Sequence, residues 1–454
     1  MVEEVINKGY LEELGAFELM VLPFYLILVF FLAYYYQRKK IGQNPSYTYF
    51  ARGIMAKLVG ATVFCFVYVY YYKGGDTISY FEASRSYVKL LELRPGEFSS
   101  VYFGSNTQEH FSQFDLYTGI PFGNMFFESR ASFVVKLLVP FVIIGFKSYL
   151  LSTLNLALLS YIGIWRMYQV FYKYYPRLYR PLAIGFIFLP TAIFWGSGML
   201  KDTITLSGIC LFVSSFEGCF ISKEKRLRNF IIMAIFGYIV LLVKPYIIMA
   251  SVPGIIAWTF HNRIRKISNR LLKRLAIPFI YVISISAGVA VLSLLGDKLD
   301  KFSLDKVLVS AKEAQMDLKS DSYQGHSFDI GNFDASIQGI VAKIPLATIA
   351  GLFRPFIWEA RNFVLFLSGL ENLILLYLCI YPLVKIGPGK ITGILFDNPL
   401  LLFIFSYSLI FAFSIGISTS NFGALVRFKI AFAPYLAAML LIFYNFKKLK
   451  LLRR

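Results

Sequence analysis

Eleven apolar runs, separated by short polar gaps, set the limits on what this chain can fold into: 17–36, 53–73, 149–170, 181–197, 203–221, 229–243, 246–260, 275–296, 363–385, 397–417 and 427–444. As helices rising about 1.5 Å per residue, the runs of about 20 residues match a hydrocarbon layer about 30 Å thick, and 229–243 and 246–260 are the shortest of the eleven. With 57% hydrophobic and only 16% charged residues over a length of 454, the chain has too little polar surface to coat a soluble globule. The expected fold class is therefore an all-α polytopic membrane protein of about eleven spans, forming a single integral domain over 1–454. The net charge of +20 does not point to nucleic acid, because the Lys and Arg residues gather in the gaps between apolar runs.

Those gaps also predict the orientation. Arg38, Lys39 and Lys40 follow the first run, Arg263 to Arg274 form the most basic gap, and Lys447 to Arg454 end the chain. By the positive-inside rule all three are cytoplasmic, which puts the N-terminus outside. The N-terminal stretch carries Glu3, Glu4, Glu12 and Glu13, so it does not read as a cleavable signal. Two long stretches fall outside, 74–130 and 297–362. The first is acidic, and Tyr80 to Leu93 within it has the pattern of an amphipathic helix at the membrane surface. Residues 131–146 are apolar but interrupted by Lys136 and Pro140, and the charge balance makes them re-entrant or interfacial. No internal repeat is visible.

Chemistry-bearing residues cluster at the outer ends of the predicted spans. The run ending at Tyr72 stops at Lys73-Gly74-Gly75 and presents Asp76, either as a turn residue or as a general base or metal ligand. Lys201-Asp202 follows Gly196-Ser197-Gly198; Asp202 is either a helix N-cap or a second acidic group facing Asp76. Lys244, Arg354, Arg361, Arg427 and Lys429 place five more cations on the outer side, with Glu359 between the two arginines of the 354–361 stretch. Guanidinium groups suit bidentate phosphate binding, and salt bridges to Glu359 or Glu371 are the structural alternative. Glu217 and Lys136 lie deeper within apolar sequence. Cys65, Cys210, Cys219 and Cys379 read as packing residues, and His110, His261 and His326 as solvated loop residues without metal-binding spacing. No nucleotide-binding loop is present.

This layout resembles the GT-C class of membrane glycosyltransferases. In that class an acidic residue opens a large first external loop with surface helices, and a second acidic motif lies in the next external loop, the order in which Asp76 and Asp202 occur here. The chain carries one span more before Asp76 than is usual in the class and has no DxD in either loop. Its later half, with Arg354, Glu359 and Arg427, resembles the arginine-bearing external loops of O-antigen polymerases and ligases. Both resemblances imply a multi-pass protein of the bacterial inner membrane acting in cell-envelope polysaccharide biosynthesis. They imply transfer of sugar from a polyprenyl-(pyro)phosphate donor to a glycan or lipid acceptor at the outer face. Asp76, Asp202 and Glu359 would be the catalytic carboxylates, Asp76 as base or metal ligand with Asp202 as its partner and Mg or Mn between them, and Lys201, Lys244, Arg354, Arg361, Arg427 and Lys429 would hold phosphate. The competing expectation is a transporter or flippase for a lipid-linked or anionic glycan, whose arginines line a path.

Overall fold

The computed structural model describes residues 14–269, 271–272, 275–284, 286, 328, 331 and 337–446. Much of the expected second external stretch, the end of the 275–296 run, His326 and both chain ends lie outside them. The described residues form helices joined by turns: α1 (Ala16–Ile41), α2 (Pro45–Tyr71), α3 (Asp76–Leu93), α4 (Pro95–Phe103), α5 (Ser129–Ile144), α6 (Tyr149–Tyr174), α7 (Tyr179–Phe186), α8 (Pro190–Trp195), α9 (Lys201–Ile221), α10 (Arg226–Val243), α11 (Pro245–Arg265), α12 (Leu275–Ser284), α13 (Ile337–Phe353), α14 (Phe363–Ile386), α15 (Pro388–Asp397), α16 (Pro399–Ser418), α17 (Phe422–Lys429) and α18 (Ala433–Tyr444). Seven of them, α1, α2, α6, α9, α10, α14 and α16, are long and apolar enough to cross a membrane. Each coincides with one of the eleven expected runs. The protein is a multi-pass helical membrane protein.

Two other expected runs are broken. Residues 181–197 divide into α7 and α8 with Ile187–Leu189 between them, and 427–444 divide into α17 and α18, bent by 65°. Proline explains both positions. Pro190 and Pro434 lack an N–H, so each fits in a first helical turn and cannot continue a helix running into it. Such breaks are stable at membrane depth only where the freed backbone groups find partners. Ala431 at the second break has its carbonyl bonded by the Tyr407 hydroxyl at 3.1 Å. The 246–260 run lies within α11, which contains Pro253 and is not among the seven.

Contacts divide the chain into two compact units. The first comprises Met1–Ala183, Ala192–Ser215 and Arg228–Lys244, and the second Ile184–Thr191, Phe216–Leu227 and Pro245–Arg454. In the first, the hairpin of α1 and α2 is tied where Gln37 accepts from the Ala51 amide at 3.0 Å. The segment after α2 is helical, as its sequence pattern predicts, but α3 buries ten of its residues. It packs on α5, where the Ser84 hydroxyl donates to the Val135 carbonyl at 3.0 Å, and so does not lie free on a surface. Farther along, the amide of Thr118, joined by that of Tyr117 and by Arg94, holds the Asp115 carboxyl below its usual range and fixes a tight turn.

In the second unit, asparagine starts three helices. Asn362, Asn398 and Asn421 each accept from a backbone N–H in the first turn, at 2.8, 3.3 and 3.1 Å. The core is a ladder of rings from Phe403, Tyr407 and Phe411, with Phe432 and Tyr435 against it. Beside it α13 and α16 pack backbone to backbone. A Cβ on Gly351 would collide with the Ala412 carbonyl, and one on Gly416 with the Ala347 carbonyl. Ala347 and Gly351, like Ala412 and Gly416, are four residues apart, so each helix presents a small-residue stripe at the crossing. Gly416→Leu is expected to destabilise the protein by about 3 kcal/mol, the upper end for overpacking, because backbone cannot yield as a side chain does. Thermal unfolding in detergent checks this against Gly393→Ala, whose Cβ meets open space and which should be neutral or better. An unchanged midpoint in Gly416→Leu would show that the crossing is looser than described.

Candidate functional site

In the first unit the chain leaves α2 through Lys73, Gly74 and Gly75, at φ of 52°, 146° and 112°. Two glycines in succession allow this reversal at little steric cost. The reversal makes Asp76 the first residue of α3, with its side chain exposed. A carboxylate there also meets the positive end of the helix dipole. One residue on, Thr77 is fully buried and its hydroxyl bonds the Tyr149 hydroxyl at 2.9 Å, which locks the first turn of α3 onto α6.

Lys201 approaches the same face of α3. Its ammonium sits 5.8 Å from the centre of the Tyr80 ring, and Tyr80 is one helical turn, four residues, beyond Asp76. Glu128 holds it from the other side: Oε2 lies 3.3 Å from Lys201 Nζ and also accepts from the Ala131 amide at 3.0 Å as the N-cap of α5. Glu128 was not expected in the site. Its signal in the sequence is a carboxylate three residues ahead of Ala131, where an apolar run begins.

Asp202 lies inside the first turn of α9, which excludes the N-cap expectation. It is 2% exposed, and its Oδ1 is 2.6 Å from Lys244 Nζ. Among the described residues no three His, Cys, Asp or Glu side chains gather closely enough to hold a metal ion.

Behind this site the carbonyls of Ala192 and Gly196, at the C-terminal end of α8, accept from the ammonium of Lys57, the Ala192 carbonyl also taking the Gly196 amide. Lys57 is 2% exposed within the apolar α2.

The second unit holds the other predicted cations. Arg354 Nε is 3.3 Å from Glu359 Oε1, and its guanidinium lies 5.2 Å from the centre of the Phe328 ring. The remaining Glu359 oxygen accepts from the Phe356 amide at 2.8 Å. Arg361 is exposed and Arg427 half-buried on α17. Lys429 is 4% exposed and donates to Asn372 Oδ1 at 2.6 Å and to the Arg354 carbonyl at 3.1 Å. The structure therefore joins Asp202 with Lys244, Arg354 with Glu359, and Lys201 with the α3 face that carries Asp76. His261, expected in a solvated loop, is buried within α11. Comparison with known protein families, with curated proteins and with solved structures returns no match.

Proposed function

We propose that the protein is a membrane glycosyltransferase that takes sugar from a polyprenyl-(pyro)phosphate donor at the outer face of a bacterial inner membrane. The observation that supports this best is an exposed carboxylate, Asp76, fixed at the end of an apolar span with the Lys201 ammonium on the same helix face. An acceptor hydroxyl attacks the anomeric carbon and gives its proton to Asp76. The new C–O bond forms as the bond from the anomeric carbon to the donor phosphate breaks, and the polyprenyl-(pyro)phosphate leaves with the electron pair. Lys201, steadied by Glu128, offsets charge on the departing phosphate, as preorganised cations do. Of the predicted phosphate-binding cations of the second unit, Arg354, Arg361, Arg427 and Lys429, Arg361 is the exposed one.

Proline-broken helices and ionisable residues buried in apolar sequence favour a second reading, transport of a lipid-linked or anionic glycan. Purified protein in liposomes, given a polyprenyl-pyrophosphate donor with labelled sugar and a glycan acceptor, separates the two. Label appearing on the acceptor supports transfer. Label that changes leaflet while still on its carrier replaces that reading with transport.

A further inference from the structure

The apolar helix α14 carries one acidic residue, Glu371, about 12 Å along the helix from Phe363 at 1.5 Å per residue. Ser368, Glu371 and Asn372 are buried at i, i+3 and i+4, on one face. With Thr191 and Lys429 they line a narrow crevice in the second unit, closed by Val426 and Ala433. Glu371 is 6% exposed. One of its oxygens accepts from the Thr191 amide at 2.8 Å and the other from the Thr191 hydroxyl at 2.5 Å.

The chemistry of this cluster is unusual for a static staple. Glu371 takes its hydrogen bonds from a neutral residue, and Lys429 gives its own to an amide oxygen and a carbonyl, so charge is compensated across the crevice. An ionisable side chain at membrane depth is costly, and an acid kept there invites a functional reading. Thr191 also suits both protonation states. Its hydroxyl donates to a carboxylate and, after rotation, accepts from a carboxylic O–H, while its amide goes on donating to the other oxygen.

We propose that Glu371 is a proton-binding site within the spanning part of this unit, with Lys429 as its counter-charge and the Thr191 hydroxyl as the rotor that serves both states. The other charged groups of the surrounding elements are Arg427, two residues before Lys429; Arg354 with Glu359, paired to each other, and Arg361 in the loop ahead of α14; Lys385 in the last turn of α14; Lys343 on α13; and Lys390 and Asp397 on α15. Protonation removes the negative charge facing Lys429. The bonds of Lys429 to Asn372 and to the Arg354 carbonyl pin the α17–α18 bend, so proton binding acts on a broken helix. The site goes beyond the proposed glycosyl transfer and does not depend on it.

Infrared difference spectroscopy of the reconstituted protein, stepped between acidic and alkaline pH, tests this. Wild type should show a high-frequency carboxylic C=O band, characteristic of a desolvated acid, that titrates and shifts on H/D exchange. Glu371→Gln, which keeps the shape and, with the Thr191 hydroxyl rotated to accept, both contacts to Thr191, should abolish the band, and Lys429→Met should move its midpoint, since the cation favouring the charged form is gone. Absence of a titrating band in wild type, or its persistence in folded Glu371→Gln, overturns the proposal. The wild-type measurement decides even if a variant fails to fold, and it reads nothing from sugar transfer.

Discussion

Asp76→Asn is expected to lower glycosyl transfer by about 10² to 10⁴-fold, the range for loss of a positioned general base. Asparagine matches aspartate in size but cannot take the acceptor proton. The fold should hardly notice. Asp76 is exposed at the first position of α3, where losing a charge near the helix dipole costs about 0.3 to 1 kcal/mol, and the neighbouring Thr77–Tyr149 bond stays in place. Transfer rates and melting temperatures measured on the same preparations therefore separate chemistry from folding. Full transfer by Asp76→Asn would remove Asp76 from the chemistry and with it the main support for the enzyme reading. A proportional fall in both quantities would make Asp76 a structural turn residue.

The opposite profile is expected at Lys244. Replacing it with methionine leaves the Asp202 carboxylate, 2% exposed, without the ammonium now 2.6 Å away. Removing one partner of a buried ion pair typically costs about 3 to 5 kcal/mol, because the remaining charge stays desolvated. Asp202→Asn should cost less, since the amide oxygen still accepts from Lys244. The double variant Asp202→Leu with Lys244→Met should be more stable than Lys244→Met alone, because it removes both charges together. Thermal unfolding in one detergent of wild type, Asp202→Leu, Lys244→Met and the double variant closes the cycle, with Asp202→Asn measured beside it. Additive losses would show that the two side chains act independently and that the short contact contributes little.

The membrane class was legible residue by residue. Phe17 to Tyr36 and Phe363 to Lys385 are apolar for long enough that a helix is the way to satisfy their backbone in lipid, and α1 and α14 are where those runs predict them. The glycine pair before Asp76 was equally readable, because positive φ at two successive positions is a local requirement. The breaks at Pro190 and Pro434 were not read, although proline marks both. Hydropathy averages across a break of three residues, and whether a proline kinks or interrupts a helix depends on what receives the freed backbone groups.

Composition and periodicity thus determined that the chain is helical, crosses a membrane several times and concentrates charge at the ends of its apolar runs. Tertiary structure alone decided which charges meet. Lys244 and Asp202 are 42 residues apart, and Lys201 and Glu128 are 73 apart. Nothing in local spacing selects these pairs over the other carboxylates and cations. The physical reason is that helix formation depends on neighbours within about four residues, whereas a buried charge is stable only where packing brings an opposite charge or hydrogen-bond partner to it. That is also why Glu371, one carboxylate in an apolar helix, gains a meaning only when Thr191 and Lys429 are seen beside it.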